Sequence, residues 1–315
     1  MAPRLLDVRK IWDHAAHNAL TDLIFYHGCW WCVFRESDTH VGGINGVIRL
    51  LTSADGENWT SAALFADPGV DWRDPKLSIT PDARLMLLAE GVVYKNKNYL
   101  FRQPWVAFSS DGLKWTPFQA VLSPHEWLWR LTWHDQVAYG VSYFPLDPTN
   151  KKSPWGIKLF KSADGIDYTH VSTLDVPGDP NETTLRFLPS GEMIALVRRG
   201  KSKALPCWIG KSAAPYQQWT WQEASHHLGG PNFIITPRGE FWAAGRIVTT
   251  IPRHTIEKMA LVQMTEQDLR PLFFLPSGGD CSYPGMVLQN NLLWISYYSS
   301  HAGPTAVYLA RIQYD

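Results

Sequence analysis

Residues 53–59 read Ser-Ala-Asp-Gly-Glu-Asn-Trp, residues 109–115 read Ser-Ser-Asp-Gly-Leu-Lys-Trp, and residues 162–168 read Ser-Ala-Asp-Gly-Ile-Asp-Tyr. A degenerate fourth copy, Ser-Ala-Ala-Pro-Tyr-Gln-Gln-Trp, ends at Trp219. The pattern specifies a turn. Ser and Asp side chains accept backbone N–H bonds inside it, and Gly takes a positive φ that other residues resist. Alternating apolar runs flank each copy, such as Gly-Val-Ile-Arg-Leu-Leu-Thr (46–52) before the first and Thr-Ser-Ala-Ala-Leu-Phe (60–65) after it. These are β-hairpins.

A second hairpin alternates with the first. It is clearest at 77–88, 185–196 and 233–244, with weaker relatives at 23–34, 131–142 and 286–297. The six starts are spaced by 54, 54, 54, 48 and 53 residues, close to one sixth of the 315-residue chain. A period near fifty with about four strands per unit predicts an all-β, six-bladed β-propeller. The last unit (305–315) stops before its outer strand, and Arg-Leu-Leu-Asp-Val-Arg-Lys-Ile-Trp (4–12) is the expected closing strand. No linker interrupts the pattern, so residues 1–315 read as one domain.

Composition narrows the partners. Lys+Arg and Asp+Glu balance at 29 each, so no molecular field favours nucleic acid or an anionic membrane. No apolar stretch approaches the ~18 residues of a membrane span. The opening Met-Ala-Pro-Arg-Leu-Leu-Asp lacks the apolar core of an export signal, which reads as cytoplasmic; a trimmed signal would leave a secreted or periplasmic chain looking the same. Cys29 and Cys32 lie in a strand-like run and point to opposite faces, as structural thiols. His14 and His17 have no further ligands nearby in sequence, no Cys/His set has zinc spacing, and no Gly-rich phosphate loop occurs, so neither metal nor cofactor is expected.

If the second hairpin is the inner pair of each blade, residues equidistant from its turn share one level of the central channel. That count sets Glu182 against Arg198, Asp74 against Glu90, Gly230 against Arg246 and Ala19 against Arg35, with Tyr283 entering the sixth blade. Three guanidiniums around one cavity repel unless an anion or neighbouring carboxylates sit among them. Salt bridging around the channel mouth is the purely structural reading of the same cluster.

At this point the chain resembles the sialidases, six-bladed propeller enzymes whose Asp boxes have the Ser-x-Asp-Gly-x-x-Trp form. Residues 182–198, Glu-Thr-Thr-Leu-Arg-Phe-Leu-Pro-Ser-Gly-Glu-Met-Ile-Ala-Leu-Val-Arg, are similar to that family's fourth-blade segment, and Ser-Tyr-Pro-Gly (282–285) sits where it carries a nucleophilic Tyr. The resemblance implies a retaining exo-glycosidase acting on a terminal sialic or related 2-keto sugar acid within a glycan. Tyr283 would be the nucleophile and Glu182 its base. Asp74 would be the acid, its pKa held up by Glu90. Arg35, Arg198 and Arg246 would grip the sugar carboxylate.

The family's first-blade Phe-Arg-Ile-Pro is replaced here by Asn-Ala-Leu-Thr-Asp (18–22), so Arg35 is the expected substitute for the missing arginine. Asp38, in the loop after the first inner hairpin, rivals Asp74 as the acid, and His40 beside it is a candidate substrate contact. Arg73, Arg130 and Arg186 flank inner strands as further binding candidates. Trp72, Trp127 and Trp129 are candidate sugar platforms. Two alternatives stay open. One is a glycosidase on another sugar using a carboxylate pair, Asp74 or Glu90 with Glu182. The other is a non-catalytic carbohydrate-binding propeller whose arginines are consumed by internal salt bridges.

Overall fold

The computed structural model describes residues 3–95, 98–150, 152–200, 205–251 and 254–314. Its first strand, β1 (Arg4–Trp12), precedes five blades formed from consecutive strands. Blade one is β2 (His17–Tyr26), β3 (Cys29–Ser37), β4 (Val47–Ser53) and β5 (Thr60–Phe65). Blade two is β6 (Val70–Ile79), β7 (Leu85–Lys95), β8 (Asn98–Ser109) and β9 (Gln119–Ala120). Blade three is β10 (Trp127–His134), β11 (Val137–Pro145), β12 (Trp155–Ser162) and β13 (Thr169–Leu174). Blade four is β14 (Pro180–Phe187), β15 (Met193–Arg199), β16 (Trp208–Ser212) and β17 (Thr220–Glu223). Blade five is β18 (Gly229–Ile235), β19 (Phe241–Ile251), β20 (His254–Met264) and β21 (Leu269–Phe274). Blade six is β22 (Cys281–Gln289), β23 (Leu292–Ser299) and β24 (Ala306–Gln313), with β1 pairing antiparallel to β24 as its outer strand. The six-bladed all-β propeller and its closing strand are as the repeat predicts.

Because strand side chains alternate, each sheet presents an apolar face to either neighbour, and the buried clusters lie between blades. Val33 and Leu50 meet Leu77 and Leu87 between blades one and two. Trp30 and Phe34 meet Trp294 and Leu309 where blade six returns to blade one. The Ser-x-Asp-Gly turns lock these seams. Asp55, Asp111 and Asp164 each accept two backbone N–H bonds of 2.8–2.9 Å, and each Ser Oγ accepts the Gly N–H. Gly112 has φ +76°, and a Cβ there would stand 2.3 Å from the Trp31 ring of blade one. Gly56 sits likewise on Trp294 of blade six. The repeated turn is therefore an inter-blade clasp. All four cysteines are free thiols, and Cys32, Cys207 and Cys281 are buried.

All six inner pairs slip register at the same height, which the simple count misses. Ala19 does pair with Arg35. In blade two, however, Arg73 rather than Asp74 pairs with Glu90; in blade five, Gly229 rather than Gly230 pairs with Arg246. Glu182 falls inside the slip of blade four, between the pairs Pro180–Arg199 and Thr183–Val197. Tyr283 and Pro284 occupy the slip of blade six. Proline has no N–H for a ladder and belongs at a bulge; Pro75, Pro231 and Pro284 each stand second in the slip. The residue before it carries the positive φ of a bulge: Asp74 +46°, Gly230 +58°, Tyr283 +56°, with Leu20 at +65° in blade one. The bulges re-aim side chains around one end of the channel.

Candidate active site

Tyr283 projects from the bulge of β22. Its ring packs edge-on against Trp129 at 5.1 Å and beside Tyr298 at 5.9 Å. Its hydroxyl donates a 2.6 Å hydrogen bond to Glu182 Oε1. Arg198 Nη1 lies 2.5 Å from the same oxygen, and Glu182 Oε2 accepts the Gly230 N–H at 2.9 Å. Three donors thus fix a carboxylate that is only 3% exposed. Burial pushes its pKa up, but the charge of Arg198 and the bonds from Tyr283 and Arg198 outweigh burial and hold it below the ordinary value. The phenol of Tyr283 goes the other way, well above its ordinary value, through burial and the charges of Asp74 and Glu182.

Asp74, on the bulge of β6, is buried. Burial raises its pKa and the charge of Glu182 adds to that, against Lys76 and Arg73. Two coupled carboxyls are thereby pushed apart, Glu182 toward the ionised form and Asp74 toward the protonated one. Such a split is how acid and base roles are divided at one pH. Glu90, buried on β7 opposite Arg73, has one oxygen accepting the Leu128 N–H at 2.7 Å and the other without a hydrogen-bond partner; burial raises its pKa well above the ordinary value.

Lys76 was not singled out in the sequence. It is 2% exposed, donates to the Pro75 carbonyl at 3.1 Å, and holds its ammonium 4.6 Å from the Trp129 ring centre and 5.3 Å from that of Tyr283. Burial lowers its pKa to about 8. The signal was a charge inside an inner strand, directly after the bulge proline.

The arginines divide into two groups. Arg198 and Arg246 face the site. Arg198 Nε is buried without a hydrogen-bond partner, and Arg246 donates to the Cys281 carbonyl at 3.4 Å. Arg246 Nε lies 3.2 Å from the Glu257 carboxylate without the alignment of a hydrogen bond, and its Nη1 lies 3.8 Å from Asp280. Arg35 is tied elsewhere: it donates to Asp71 at 2.8 Å and to the carbonyls of Trp72 and Thr39 at 3.0 and 2.9 Å. Arg73 takes the other Asp71 oxygen at 2.6 and 2.9 Å. The expected substitution of Arg35 for the first-blade arginine therefore has no free guanidinium behind it. Asn18 is likewise spent on the carbonyls of Ala15 and Thr305, both at 2.8 Å. Further along the channel, Arg130 binds both oxygens of Asp22 at 3.0 Å. Arg186 bonds Thr132, Asn232 and its neighbouring carbonyl, with its pKa lowered by burial to about 9.

Asp38 is exposed and accepts the Ile44 N–H at 2.9 Å, closing its own loop. His40 turns to Asp280, whose Oδ2 it meets at 2.6 Å beside His17 at 2.9 Å. Of the tryptophans, Trp129 walls Tyr283, while Trp72 stacks on Phe118 at 4.5 Å and Trp127 on Tyr143 at 5.5 Å. All three are at most 8% exposed, so they pack rather than present open platforms.

No family profile and no curated protein matches this chain. Solved structures do resemble it. A Dyadobacter fermentans protein of unknown function superposes with a TM-score of 0.85 at 16% identity, covering all of both chains. The α-L-arabinofuranosidase Arb93A of Fusarium graminearum, solved with an iminosugar inhibitor, gives 0.72 at 12% identity over 98% of both chains. The Trypanosoma rangeli sialidase gives 0.69 at 10% identity, over 94% of this chain and 55% of that one. At these identities the likeness is one of fold, shared with propeller glycosidases.

Proposed function

We propose that this chain is a retaining exo-glycosidase in which Tyr283 attacks the anomeric carbon of a terminal sugar. The observation that carries the reading is the 2.6 Å bond from Tyr283 to a Glu182 kept ionised by Arg198, beside an Asp74 whose pKa is raised. Glu182 takes the phenolic proton as the Tyr283 oxygen bonds to carbon. The bond to the leaving oxygen breaks, and Asp74 protonates that oxygen. Water, giving its proton to Asp74, then attacks the same carbon, and Tyr283 departs and recovers its proton from Glu182. With both of its oxygens already occupied by donors, Glu182 is better disposed to accept a proton than to attack carbon itself.

A neutral phenol suits a crowded anomeric centre that carries its own carboxylate, where an anionic nucleophile would meet like charge. That favours a 2-keto sugar acid, gripped by Arg198 and Arg246. A second reading, a sugar without a carboxylate, is favoured by the tie of Arg35 to Asp71, which leaves two arginines at the site rather than three. Fluorogenic glycosides of 2-keto sugar acids and of neutral pentoses and hexoses separate the two. With whichever sugar is turned over, Tyr283→Phe removes at least about 10²-fold of kcat while thermal unfolding stays near wild type. Near-full activity of that variant would overturn the mechanism.

A further inference from the structure

We propose that His17, His40 and Asp280 form a site for a divalent transition-metal cation, Zn²⁺ being the natural occupant for two imidazoles and a carboxylate. One donor atom from each lies within 4.8 Å of the others. His17 Nε2 stands 2.9 Å and His40 Nδ1 2.6 Å from the single oxygen Asp280 Oδ2. Tetrahedral ligands about 2.0–2.1 Å from zinc stand about 3.3 Å apart, so outward shifts of under about 1 Å would open the cluster around an ion.

The surroundings are those of a held ligand set. The Tyr298 hydroxyl donates to Asp280 Oδ1 at 2.9 Å, orienting the carboxylate so that Oδ2 faces the two histidines. His17 is 7% exposed, and its ring meets that of His40 edge-on at 5.4 Å. The His40 side chain is 40% exposed and supplies the path of entry.

The location suggests a purpose, and this step rests on the glycosidase reading. Both histidines come from blade one, whose Arg35 is tied to Asp71, and Asp280 lies 3.8 Å from Arg246. A cation here would supply the third positive charge for a substrate carboxylate or a pair of sugar hydroxyls.

The test is calorimetric titration of the chelator-stripped, full-length protein with ZnSO₄ alone near pH 7.5. One equivalent binding at micromolar Kd or tighter, weakened at least about tenfold in both His40→Ala and His17→Gln, is the expected result. No stoichiometric binding, or binding unchanged in both variants, overturns the site and leaves plain His–Asp hydrogen bonds. Because no sugar is present, this outcome is independent of whether any glycoside is cleaved. The loop position of His40 keeps one variant free of folding defects.

Discussion

Replacing Arg198 with Met tests the ion pair on which the proposed chemistry depends. Met keeps an unbranched apolar stem and removes the guanidinium that sits 2.5 Å from Glu182 Oε1. Removing one member of a buried pair costs about 3–5 kcal/mol, because the remaining charge is stranded. Tyr283 and Gly230 still donate to Glu182, which places the loss toward the lower end of that range. The stranded carboxylate escapes by taking up a proton, so the loss depends on pH. In the wild type the carboxyl is held below its ordinary value, and its contribution to stability is present above the unfolded-state pKa and fades as pH falls through the folded one. In the variant, burial is no longer opposed by Arg198 and the folded carboxyl rises above its unfolded value. The folded variant then binds more protons than the unfolded chain, and its stability falls as pH rises. The difference between the two proteins should grow from small near pH 4.5 to about 3 kcal/mol or more near pH 8. Urea unfolding at several pH values, followed by tryptophan fluorescence, measures it. A loss that is constant with pH, or largest in acid, would refute the assigned charge state of Glu182. The acid limb of kcat/KM should move upward in the same variant, since a protonated Glu182 has no room for the Tyr283 proton.

Three further outcomes follow from the same geometry. Lys76, with a pKa near 8 and its ammonium under the Tyr283 ring, should give wild-type kcat/KM a fall as pH rises through about 8; Lys76→Met should show a lower plateau without that limb, and an unchanged limb would remove Lys76 from the reaction. Asp74→Asn should slow glycosides of poor leaving groups by about 10²–10⁴-fold while sparing activated aryl glycosides, and an equal loss on both would show that Asp74 is not the acid. Gly112→Ala should cost about 1–3 kcal/mol more than Gly191→Ala. Both glycines have positive φ, but only the Gly112 Cβ would collide with a neighbouring ring, that of Trp31 at 2.3 Å. Equal losses would mean that the clasp between blades is not tightly packed.

The architecture was legible because its signals are local and repeated. A Ser-x-Asp-Gly turn needs only its own seven residues to form, and its recurrence sets the blade period. The pairing of Tyr283 with Glu182 was also legible, through the hairpin count and the family likeness. What failed was the assumption of unbroken register. Pro75, Pro231 and Pro284, each inside an inner strand, were visible marks of a bulge. Reading them would have moved Arg73 rather than Asp74 opposite Glu90. The fates of the arginines were hidden for a different reason. Arg35 is claimed by Asp71, which enters from the next blade, and the His17–Asp280 contact joins residues 263 apart in sequence, a neighbourhood that exists only once the ring has closed. Lys76 needed the channel itself to become meaningful.

The strand that completes blade six lies at the outermost edge of the ring. β1 pairs only with β24, and Arg311 clamps it through Asp7. Its side chains also reach blade one: Ile11 and Trp12 pack into the apolar wedge between blades six and one, and Trp12 donates to Glu36 at 2.6 Å. Tyr283, Glu182 and Asp74 stand on innermost strands, but peeling β1 away would strip one side of that wedge. The perimeter strand is thus a fastener for the whole ring, and fraying there should loosen the seam between the last blade and the first before it reaches the hub.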